Sequence, residues 1–361
     1  MNALESQLDY CLGTDTPALG EAFDVAPGIK WVRMQLPFAL NHVNLWLLRD
    51  ELPGEGGTIT RQGWTIVDCG IDNAVTRAAW EQVFATALEG LPVLRVVVTH
   101  MHPDHIGLAH WLCERWNARL WISATDYNVA RVASGASAGF GGPLSAAFMA
   151  THGMVDHQAV AQVGARSSYY SSMVPALPPT FRRLLDGGRV AIGSGPDRAD
   201  WTCHVGYGHA PEHMSFHSAA AGVLISGDMV LPRISTNVSV IDVEPEADPL
   251  TLYLDSIERM RSIDAGALVL PSHGLPFKGL HTRIDQLQAH HAERFAEVLT
   301  ACAEAPLSAF DLVPVLFKRP LDLHQMTFAM GESLAHCHAL WLRGRLVRLI
   351  DGDGAIRFTT A

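Results

Sequence analysis

The sequence has no paired cysteines, no long hydrophobic run and a shortage of positive charge. Its six cysteines are scattered over 361 residues, and none forms a Cys-x-x-Cys pair. We therefore expect free thiols in a reducing compartment and no disulfide framework. No apolar run approaches the ~20 residues of a membrane span, and residues 1–13 lack the basic and apolar regions of a signal peptide. These absences predict a cytoplasmic protein without membrane association.

The charge balance is acidic. The chain carries 26 Lys and Arg against 37 Asp and Glu, a formal net charge of -11. An acidic surface repels nucleic-acid phosphates, so nucleic acid is disfavoured as a partner and a small-molecule substrate is expected. Hydrophobic residues make up 48% and charged residues 17%, which is typical of a globular protein. The length allows two domains.

The most informative stretch is residues 95–107, which read Arg-Val-Val-Val-Thr-His-Met-His-Pro-Asp-His-Ile-Gly. Its β-branched run, 96–98, predicts a buried strand. Four side chains able to bind metal follow that strand: His100, His102, Asp104 and His105. The first two alternate along an extended chain, so both imidazoles can point at one ion. Pro103 suits a helix start, which directs the last two towards a second ion close by.

Three more candidate ligands follow in order along the chain. His209 lies in a Gly-His-Ala-Pro-Glu-His turn, Asp228 follows Leu-Ile-Ser-Gly, and His273 lies in Pro-Ser-His-Gly. Each comes after a short apolar run or a turn, as a ligand at a strand end should. Together with the His-x-His-x-Asp-His run, they resemble the metallo-β-lactamase superfamily, and the resemblance covers roughly residues 30–280.

The resemblance implies a fold and a set of site residues. The superfamily fold is a four-layer αββα sandwich of the α/β (α+β) class, and two β-β-α-β-type halves in this chain fit it. By resemblance, one ion is held by His100, His102 and His209, a second by Asp104, His105 and His273, and Asp228 bridges both. Asp68, in Asp-Cys-Gly after a strand, is expected to support the ligands by hydrogen bonding. We take Asp104 and His213 as the candidate catalytic residues.

His213 is open to a second interpretation, since a histidine in this turn can instead orient a ligand or bond to the backbone. His42 is expected to be an ordinary strand-end histidine. The donor set of imidazoles and carboxylates without thiolate suits Zn²⁺, and also Fe or Mn. We expect two divalent ions, with zinc as the preferred metal.

The resemblance also implies a reaction. Two ions ~3.5–4 Å apart can share a hydroxide, because the pKa of a bound water falls towards ~7. That hydroxide would attack while the ions hold the developing oxyanion, so no Ser or Cys nucleophile is needed. The expected activity is hydrolysis of an ester, thioester or lactone of a small, partly apolar substrate. Glyoxalase-II-like thioester hydrolysis is one instance, although the basic glutathione-binding residues of that group are not evident.

Two other reactions remain open. A phosphodiesterase or endoribonuclease of the same superfamily would be favoured by a basic groove leading to the site. An iron-dependent oxidoreductase is the other alternative. No flavodoxin-like domain follows the metal-binding segments, which weakens the flavodiiron version of that alternative.

Residues 134–180 interrupt the pattern of alternating strands and helices. They are rich in Gly, Ser, Ala and Met, which predicts a partly helical insert between two halves of the fold. Such an insert either roofs an active site as a lid or only packs on the surface. Four side chains are candidates for substrate contact: His152, His157, Tyr169 and Tyr170.

A change in composition after Gly279 divides the chain into a catalytic domain, 1–280, and a C-terminal domain, 281–361. The C-terminal part predicts three helices followed by a hairpin, which resembles a winged-helix unit. Such a unit also resembles the lactamase-like branch that contains a mitochondrial endoribonuclease and fungal thioesterases. Because acids dilute its arginines, we favour packing and a homodimer over DNA binding. Four histidines are expected at its surface or interface: His290, His291, His336 and His338.

Overall fold

A computed structural model describes residues 4–53, 60–135, 141–195 and 198–361. The strands are β1 Ala22–Ala26, β2 Ile29–Gln35, β3 His42–Pro53, β4 Thr60–Val67, β5 Val93–Val97, β6 Arg119–Ile122, β7 Phe181–Arg183, β8 Arg189–Ile192, β9 Ala199–Gly206, β10 His213–Ser218, β11 Val223–Gly227, β12 Leu268–Pro271, β13 Leu346–Ile350 and β14 Ile356–Thr360. The helices are α1 Ala74–Thr86, α2 Pro103–Ile106, α3 Ala109–Trp116, α4 Ala124–Ala133, α5 Pro143–Thr151, α6 His157–Gly164, α7 Pro249–Arg259, α8 Leu280–Glu304, α9 Ala309–Leu316 and α10 Leu323–Leu342.

The first sheet contains β1 to β7 in chain order. Strands β1 to β4 pair antiparallel, and β4 to β7 pair parallel. Helix α1 makes the first parallel crossover, and its N-cap Asn73 accepts a hydrogen bond from the backbone N–H of Thr76, as capping requires. Every residue of β5 is buried, because a central parallel strand is covered on both faces. The strand that precedes the histidine run is therefore fixed at the middle of the sheet.

The second sheet has the order β12-β11-β10-β9-β8. Strands β8 to β11 pair antiparallel, whereas β12 joins β11 in parallel through helix α7. Helix α7 begins with Pro249 after the N-cap Asp248, whose side chain accepts a hydrogen bond from the N–H of Thr251. Proline at the first helical position suits a helix start because it needs no N–H partner there.

Three apolar cores separate the layers. One core lies between the two sheets and includes Trp31, Trp46 and Phe216. A second packs the outer face of the first sheet against α1, α3 and α4. The third packs the other sheet against α7, α8, α9 and α10. The order helix, sheet, sheet, helix confirms the predicted four-layer αββα sandwich.

The C-terminal helices share their core with the second sheet. Phe277, Ile284 and Leu334 belong to the same buried cluster as Val269 of β12. Helix α8 starts at Leu280, next to the predicted division of the chain, and β13 and β14 form the expected hairpin after α10. No helix in the described ranges has the length and apolarity needed to cross a bilayer.

The insert forms helices α5 and α6, and residues 136–140 of it lie outside the described residues. Phe148 packs into the C-terminal core, whereas Tyr170 belongs to the core of the first sheet. The carbonyl of His152 accepts a hydrogen bond from the N–H of Phe310 in α9 (3.2 Å). The insert is thus attached to both outer layers of the sandwich. His152 is buried and bonds to the carbonyl of Phe148 (2.8 Å), which removes it from the substrate candidates.

Some sequence-based expectations were wrong. Residues 1–28 have no alternating pattern that predicts a strand, yet they contain β1, which pairs with β2 and has only one buried residue. Residues 106–116 have the pattern of one helix, but α2 ends at Ile106 and α3 begins at Ala109. The expected surface histidines are mostly core residues, because α8 and α10 pack on one another. His291, His336 and His338 are buried.

Candidate metal centre

The seven predicted ligands lie at one edge of the sandwich, beyond the carboxyl ends of four strands. His100 and His102 follow β5, and Asp104 and His105 lie in the short helix α2. The remaining three ligands follow three strands of the second sheet: His209 after β9, Asp228 after β11 and His273 after β12. Because the two sheets pack face to face, these strand ends lie close together at the same edge of the sandwich.

Three imidazole nitrogens form a first donor triangle. Nε2 of His100 lies 2.9 Å from Nδ1 of His102 and 3.2 Å from Nε2 of His209. Nδ1 of His102 and Nε2 of His209 are 3.1 Å apart. Ligands about 2.0–2.1 Å from a tetrahedral zinc ion are separated by about 3.3 Å. The triangle therefore has the size that a single ion requires.

A second donor group surrounds His105. Its Nε2 lies 3.4 Å from Oδ2 of Asp104 and 3.7 Å from Oδ1 of Asp228. Nε2 of His273 lies 3.5 Å from the same Asp104 oxygen. The donor atoms of Asp104, His105 and His273 all lie within 4.8 Å of one another. Imidazole and carboxylate donors at these separations suit a second divalent ion.

Asp228 lies between the two groups. Its Oδ2 is 3.3 Å from Nε2 of His209 in the first group and 3.4 Å from Nε2 of His273 in the second. The two groups therefore share one carboxylate, which is the geometry of a bridging ligand.

Unsatisfied polar atoms in the centre fit a bound cation. Nε2 of His105 and Oδ1 of Asp228 are buried and have no hydrogen-bond partner among the described residues. Buried polar atoms almost always have a hydrogen-bond partner, so two buried atoms without one are explained by a bound cation. Both atoms belong to the donor groups above, and the donor set therefore fits divalent ions.

The electrostatics differ between the two donor groups, with lowered imidazole pKa values in the first group and raised ones beside the carboxylates of the second. Burial and the charge of His209 lower the pKa of His102 to about 3. Burial would raise the pKa of Asp104, but His105 and His273 outweigh it and lower that pKa to about 2. For His105, burial acts to lower the pKa, yet the carboxylates of Asp104 and Asp68 raise it above its ordinary value. The carboxylates thus attract positive charge to the centre.

Asp68 forms hydrogen bonds with the segment that carries the first sheet's candidate ligands. It accepts hydrogen bonds from the N–H of Thr99 (2.8 Å) and from the Thr99 hydroxyl (2.9 Å). Nδ1 of His105 lies 2.8 Å from Oδ2 of Asp68. Because a carboxylate only accepts there, Nδ1 carries the proton and Nε2 is left for a metal. Asp68 adopts φ 64°, a left-handed conformation that non-glycine residues rarely adopt.

Backbone carbonyls orient the second sheet's histidines. Nδ1 of His209 donates to the carbonyl of Asn237 (2.7 Å), and Nδ1 of His273 donates to the carbonyl of His42 (2.7 Å). A carbonyl accepts only, so in each ring Nε2 is free to face the centre. His42 is therefore more than an ordinary strand-end histidine, because its backbone fixes the tautomer of a ligand.

His213 lies behind the ligands and is fully buried. Its Nε2 accepts a hydrogen bond from the N–H of Asp228 (3.0 Å). A ring whose nitrogen is occupied in this way does not reach a substrate, so the expected catalytic role of His213 is corrected to a positioning role for Asp228. Of the two candidate catalytic residues, only Asp104 has its side chain partly open to solvent, with 19% exposed.

Asp126, which was not predicted as a site residue, joins the two ligand loops. Its Oδ1 accepts from the N–H of Met101 (2.8 Å), between the first two histidines, and its Oδ2 accepts from the N–H of Glu212 (2.7 Å), next to His213. Its only sequence signal is the Ser123-x-x-Asp126 capping pattern at the start of α4. That pattern predicts a helix start and carries no information on a contact with residues 86 positions away.

Tyr170 and Glu332 are two further supports. The hydroxyl of Tyr170 donates to the carbonyl of Met101 (2.5 Å), so it holds the ligand loop and is buried away from solvent. Glu332 of α10 lies close enough to the side chain of Asn237, the residue whose carbonyl orients His209, for that amide to oppose the rise in its pKa that burial causes. The carbonyl of the preceding residue, Gly331, accepts a hydrogen bond from the N–H of Val240 in the same loop (3.1 Å). The C-terminal helix α10 therefore contacts the loop that positions a ligand.

The family comparisons agree with this geometry. The model of the metallo-beta-lactamase superfamily matches residues 43–273, and a model of the metallo-beta-lactamase-like C-terminal domain matches residues 295–361. The predicted division at 280/281 falls between the two matched ranges.

Curated relatives and solved structures point the same way. The chain is 23% identical over 339 residues to the probable metallo-hydrolase YqjP of Bacillus subtilis, covering 89% of this chain and 95% of that protein. A beta-lactamase domain protein from Burkholderia ambifaria has a similar structure (TM-score 0.92) with 54% identity over all of both chains. A metallo-beta-lactamase family protein from Thermus thermophilus has a TM-score of 0.74 and 25% identity, covering 94% of this chain and 100% of that one. The resemblance inferred from the ligand motifs is thereby confirmed, and the chain belongs to the metallo-beta-lactamase superfamily of enzymes.

Proposed function

We propose that this enzyme is a dinuclear, zinc-dependent hydrolase that cleaves an ester, thioester or lactone of a small, partly apolar substrate. The observation that carries the proposal is the position of Asp228 between two donor groups, 3.3 Å from His209 and 3.4 Å from His273. A site for one ion would not need a carboxylate in that position. The relatives' description as probable metallo-hydrolases supports the same reaction class.

The chain's own residues prepare the site for hydrolysis. When bound, two divalent ions would lower the pKa of a shared water towards ~7 and polarise a substrate carbonyl. Asp104 is ionised at neutral pH and partly exposed, so its carboxylate accepts hydrogen bonds from groups entering the site. The nearby thiol of Cys69 is fully buried and its pKa is raised, mainly by burial. A buried, protonated thiol is a poor nucleophile, which leaves attack by water.

The net charge of the chain and an aromatic residue of the insert support a small, partly apolar substrate. The chain is acidic, with a formal net charge of -11, which disfavours a polyanionic nucleic acid. Tyr169 of the insert lies close enough to Asp104 for that carboxylate to help raise its pKa, after the larger effect of burial and against the effect of Arg166. The insert therefore contributes an aromatic side chain beside the centre, in keeping with the predicted lid.

The test combines metal analysis with a substrate panel. Protein purified without added metal and then loaded with zinc, manganese or ferrous iron is assayed on thioesters, lactones, bis-phosphodiesters and RNA. We expect about two equivalents of metal per chain, and turnover of thioesters or lactones at least about 100-fold above that of phosphodiesters. A single equivalent at saturation would contradict the dinuclear site. Preferred turnover of phosphodiesters or RNA, or activity with iron alone in an oxidative assay, would replace the proposed reaction with one of the alternatives.

A further inference from the structure

Four rings from three distant segments meet at one place, which we call the aromatic rim: Phe38, Tyr169, His324 and Phe328. His324 is at its middle. Its ring centroid lies 5.5 Å from Phe38, with the planes 22° apart, 5.7 Å from Tyr169 and 4.9 Å from Phe328. Phe38 lies between β2 and β3, Tyr169 follows α6, and the other two lie on α10. Offset and edge-on rings at these distances form a mutually supporting cluster.

The rim lies beside the metal centre. Tyr169 precedes Tyr170, whose hydroxyl holds the carbonyl of Met101 between two ligands. The insert's contribution to the rim is therefore one residue from a side chain that holds the segment between His100 and His102.

The other two segments of the rim are also attached to ligands. Phe38 is four residues before His42, whose carbonyl fixes the ring of His273. Phe328 is three residues before Gly331, whose carbonyl accepts a hydrogen bond from the N–H of Val240 (3.1 Å) in the loop that contains Asn237. All three segments thus run from the back of the metal centre to a common aromatic cluster. The cluster is incompletely covered, since Phe328 is 45% exposed and Tyr169 and His324 are half-buried.

Arg166 lies in the same turn as Tyr169, whose N–H donates a hydrogen bond to the Arg166 carbonyl (3.1 Å). The side chain of Arg166 is half-buried and makes no ion pair with any acid in the described ranges. Burial and the charge of Arg166 lower the pKa of His324, and the carboxylate of Asp322 opposes them without reversing the shift, so that ring is neutral at neutral pH. The rim therefore combines neutral ring faces with the guanidinium of Arg166, in a chain whose overall charge is negative. A guanidinium without an acidic partner is suited to a carboxylate ligand.

We propose that the aromatic rim and Arg166 bind the non-reacting end of the substrate, a flat apolar acyl group that carries a carboxylate. This proposal rests on the hydrolase function proposed above, since the rim adjoins the site where the acyl carbonyl would react. The apolar part lies against Phe38, Tyr169 and Phe328, and the carboxylate pairs with Arg166. Binding at a distance from the reacting atoms positions the scissile carbonyl at the metal centre.

The experiment compares three thioesters that share one thiol leaving group and differ only in the acyl part. The acyl groups are acetyl, 3-phenylpropionyl and 3-(4-carboxyphenyl)propionyl. For the zinc-loaded enzyme we expect kcat/KM to rise in that order. Arg166→Gln should lower kcat/KM for the carboxylate substrate about tenfold and leave the phenyl substrate within about twofold. Phe328→Leu should lower both aryl substrates about threefold to tenfold and leave acetyl unchanged.

Arg189→Gln is the matched control for loss of a positive charge, because Arg189 is on β8 with its side chain 73% exposed. It should leave the ranking of the three substrates unchanged. Metal content and Tm of each variant show that it is folded and loaded. Equal kcat/KM for the three thioesters, or equal losses for the aryl pair in Arg166→Gln, would overturn the rim proposal while leaving the hydrolase intact.

A binding measurement separates this proposal from the proposed reaction. Thioether analogues, in which a methylene replaces the scissile carbonyl, are titrated into the enzyme by calorimetry. We expect the carboxyphenyl analogue to bind most tightly and to lose about tenfold in affinity with Arg166→Gln. If the enzyme did not turn over thioesters but the analogues kept the expected ranking of affinities, the proposed hydrolase function would be refuted and the rim would remain a binding site. Absence of both the turnover and the ranking would refute the two proposals together.

Discussion

The two sheets supply the candidate ligands of the metal centre in different ways. The first sheet contributes four ligands within six residues, from His100 to His105, and one carboxylate, Asp68, supports them from the next strand. The second sheet contributes single ligands from three separate loops. Two of them, His209 and His273, are oriented by backbone carbonyls from elsewhere in the chain. The relative positions of the four contiguous ligands are set by the local backbone of one short segment. The positions of the three dispersed ligands depend on contacts with residues elsewhere in the chain.

The strongest test of this difference removes one ligand from each side. His102→Ala and His273→Ala should each release about one equivalent of metal and lower kcat/KM by at least about 100-fold, because loss of a ligand exceeds the 10–100-fold effect of losing an outer-shell partner. Metal content after gel filtration and kcat/KM on the preferred thioester are the measurements. His157→Ala, at the exposed start of α6, is the control and should change neither. Full turnover in His102→Ala would refute the ligand assignment.

A second test targets the residue that ties the two sides together. Asp126→Asn places an amide N–H₂ against the N–H of Met101 or of Glu212, so one backbone donor loses its acceptor. We expect a loss of about 1–3 kcal/mol in the free energy of unfolding and about tenfold weaker binding of metal at both positions. Denaturant unfolding and competitive chelation measure these changes.

Ser123→Ala is the control for that test, because Ser123 makes the capping contacts with Asp126 but touches neither ligand loop. It should cost about 1 kcal/mol of stability and leave metal affinity unchanged. If Asp126→Asn weakened only one of the two metal positions, the coupling between the sheets through Asp126 would be wrong.

The smallest expected effect is a pH dependence of stability from Glu332 of α10, which lies near the loop that orients His209 of the second sheet. Burial raises the pKa of Glu332 to about 7, although the hydrogen bond with Asn237 and the charge of Arg294 oppose it. In the unfolded chain this carboxyl ionises near 4.5, so its contribution to stability is fully present below that pH. The contribution is then lost as the pH rises towards 7, because only the unfolded chain releases the proton there.

Glu332→Gln should remove this dependence. In chelator, the Tm of the variant and of the wild type should be close at about pH 5, and the variant should gain about 1 kcal/mol of relative stability by about pH 8. Thermal unfolding across that range is the measurement, with Glu293→Gln on the exposed side of α8 as the control. A constant difference in Tm across the same pH range would show that Glu332 does not titrate there.

Much of the architecture followed from local pattern. The alternating strands and helices, the ligand-bearing strand ends and the three C-terminal helices with their hairpin were predicted within a few residues. Edge strands β1 and β7 were missed, because three to five residues with few buried positions carry a weak signal. The burial of His291 and His336 was also not predicted, because it depends on the packing of α8 against α10. Nδ1 of His291 lies 3.1 Å from Nε2 of His336 across that contact. Polar side chains on a helix predict solvent unless a second helix covers them.

The sequence by itself determined the family, the sandwich and the candidate ligand side chains, because strand-end spacing and a dense histidine motif are local and chemically restrictive. Only the tertiary structure decided which nitrogen of each histidine faces the centre, that His213 positions Asp228, and that Asp126 and Glu332 contact the ligand loops. Those roles depend on hydrogen bonds between residues far apart in the chain. Periodicity and spacing describe which face of an element is buried, and they do not specify which distant atom it meets there.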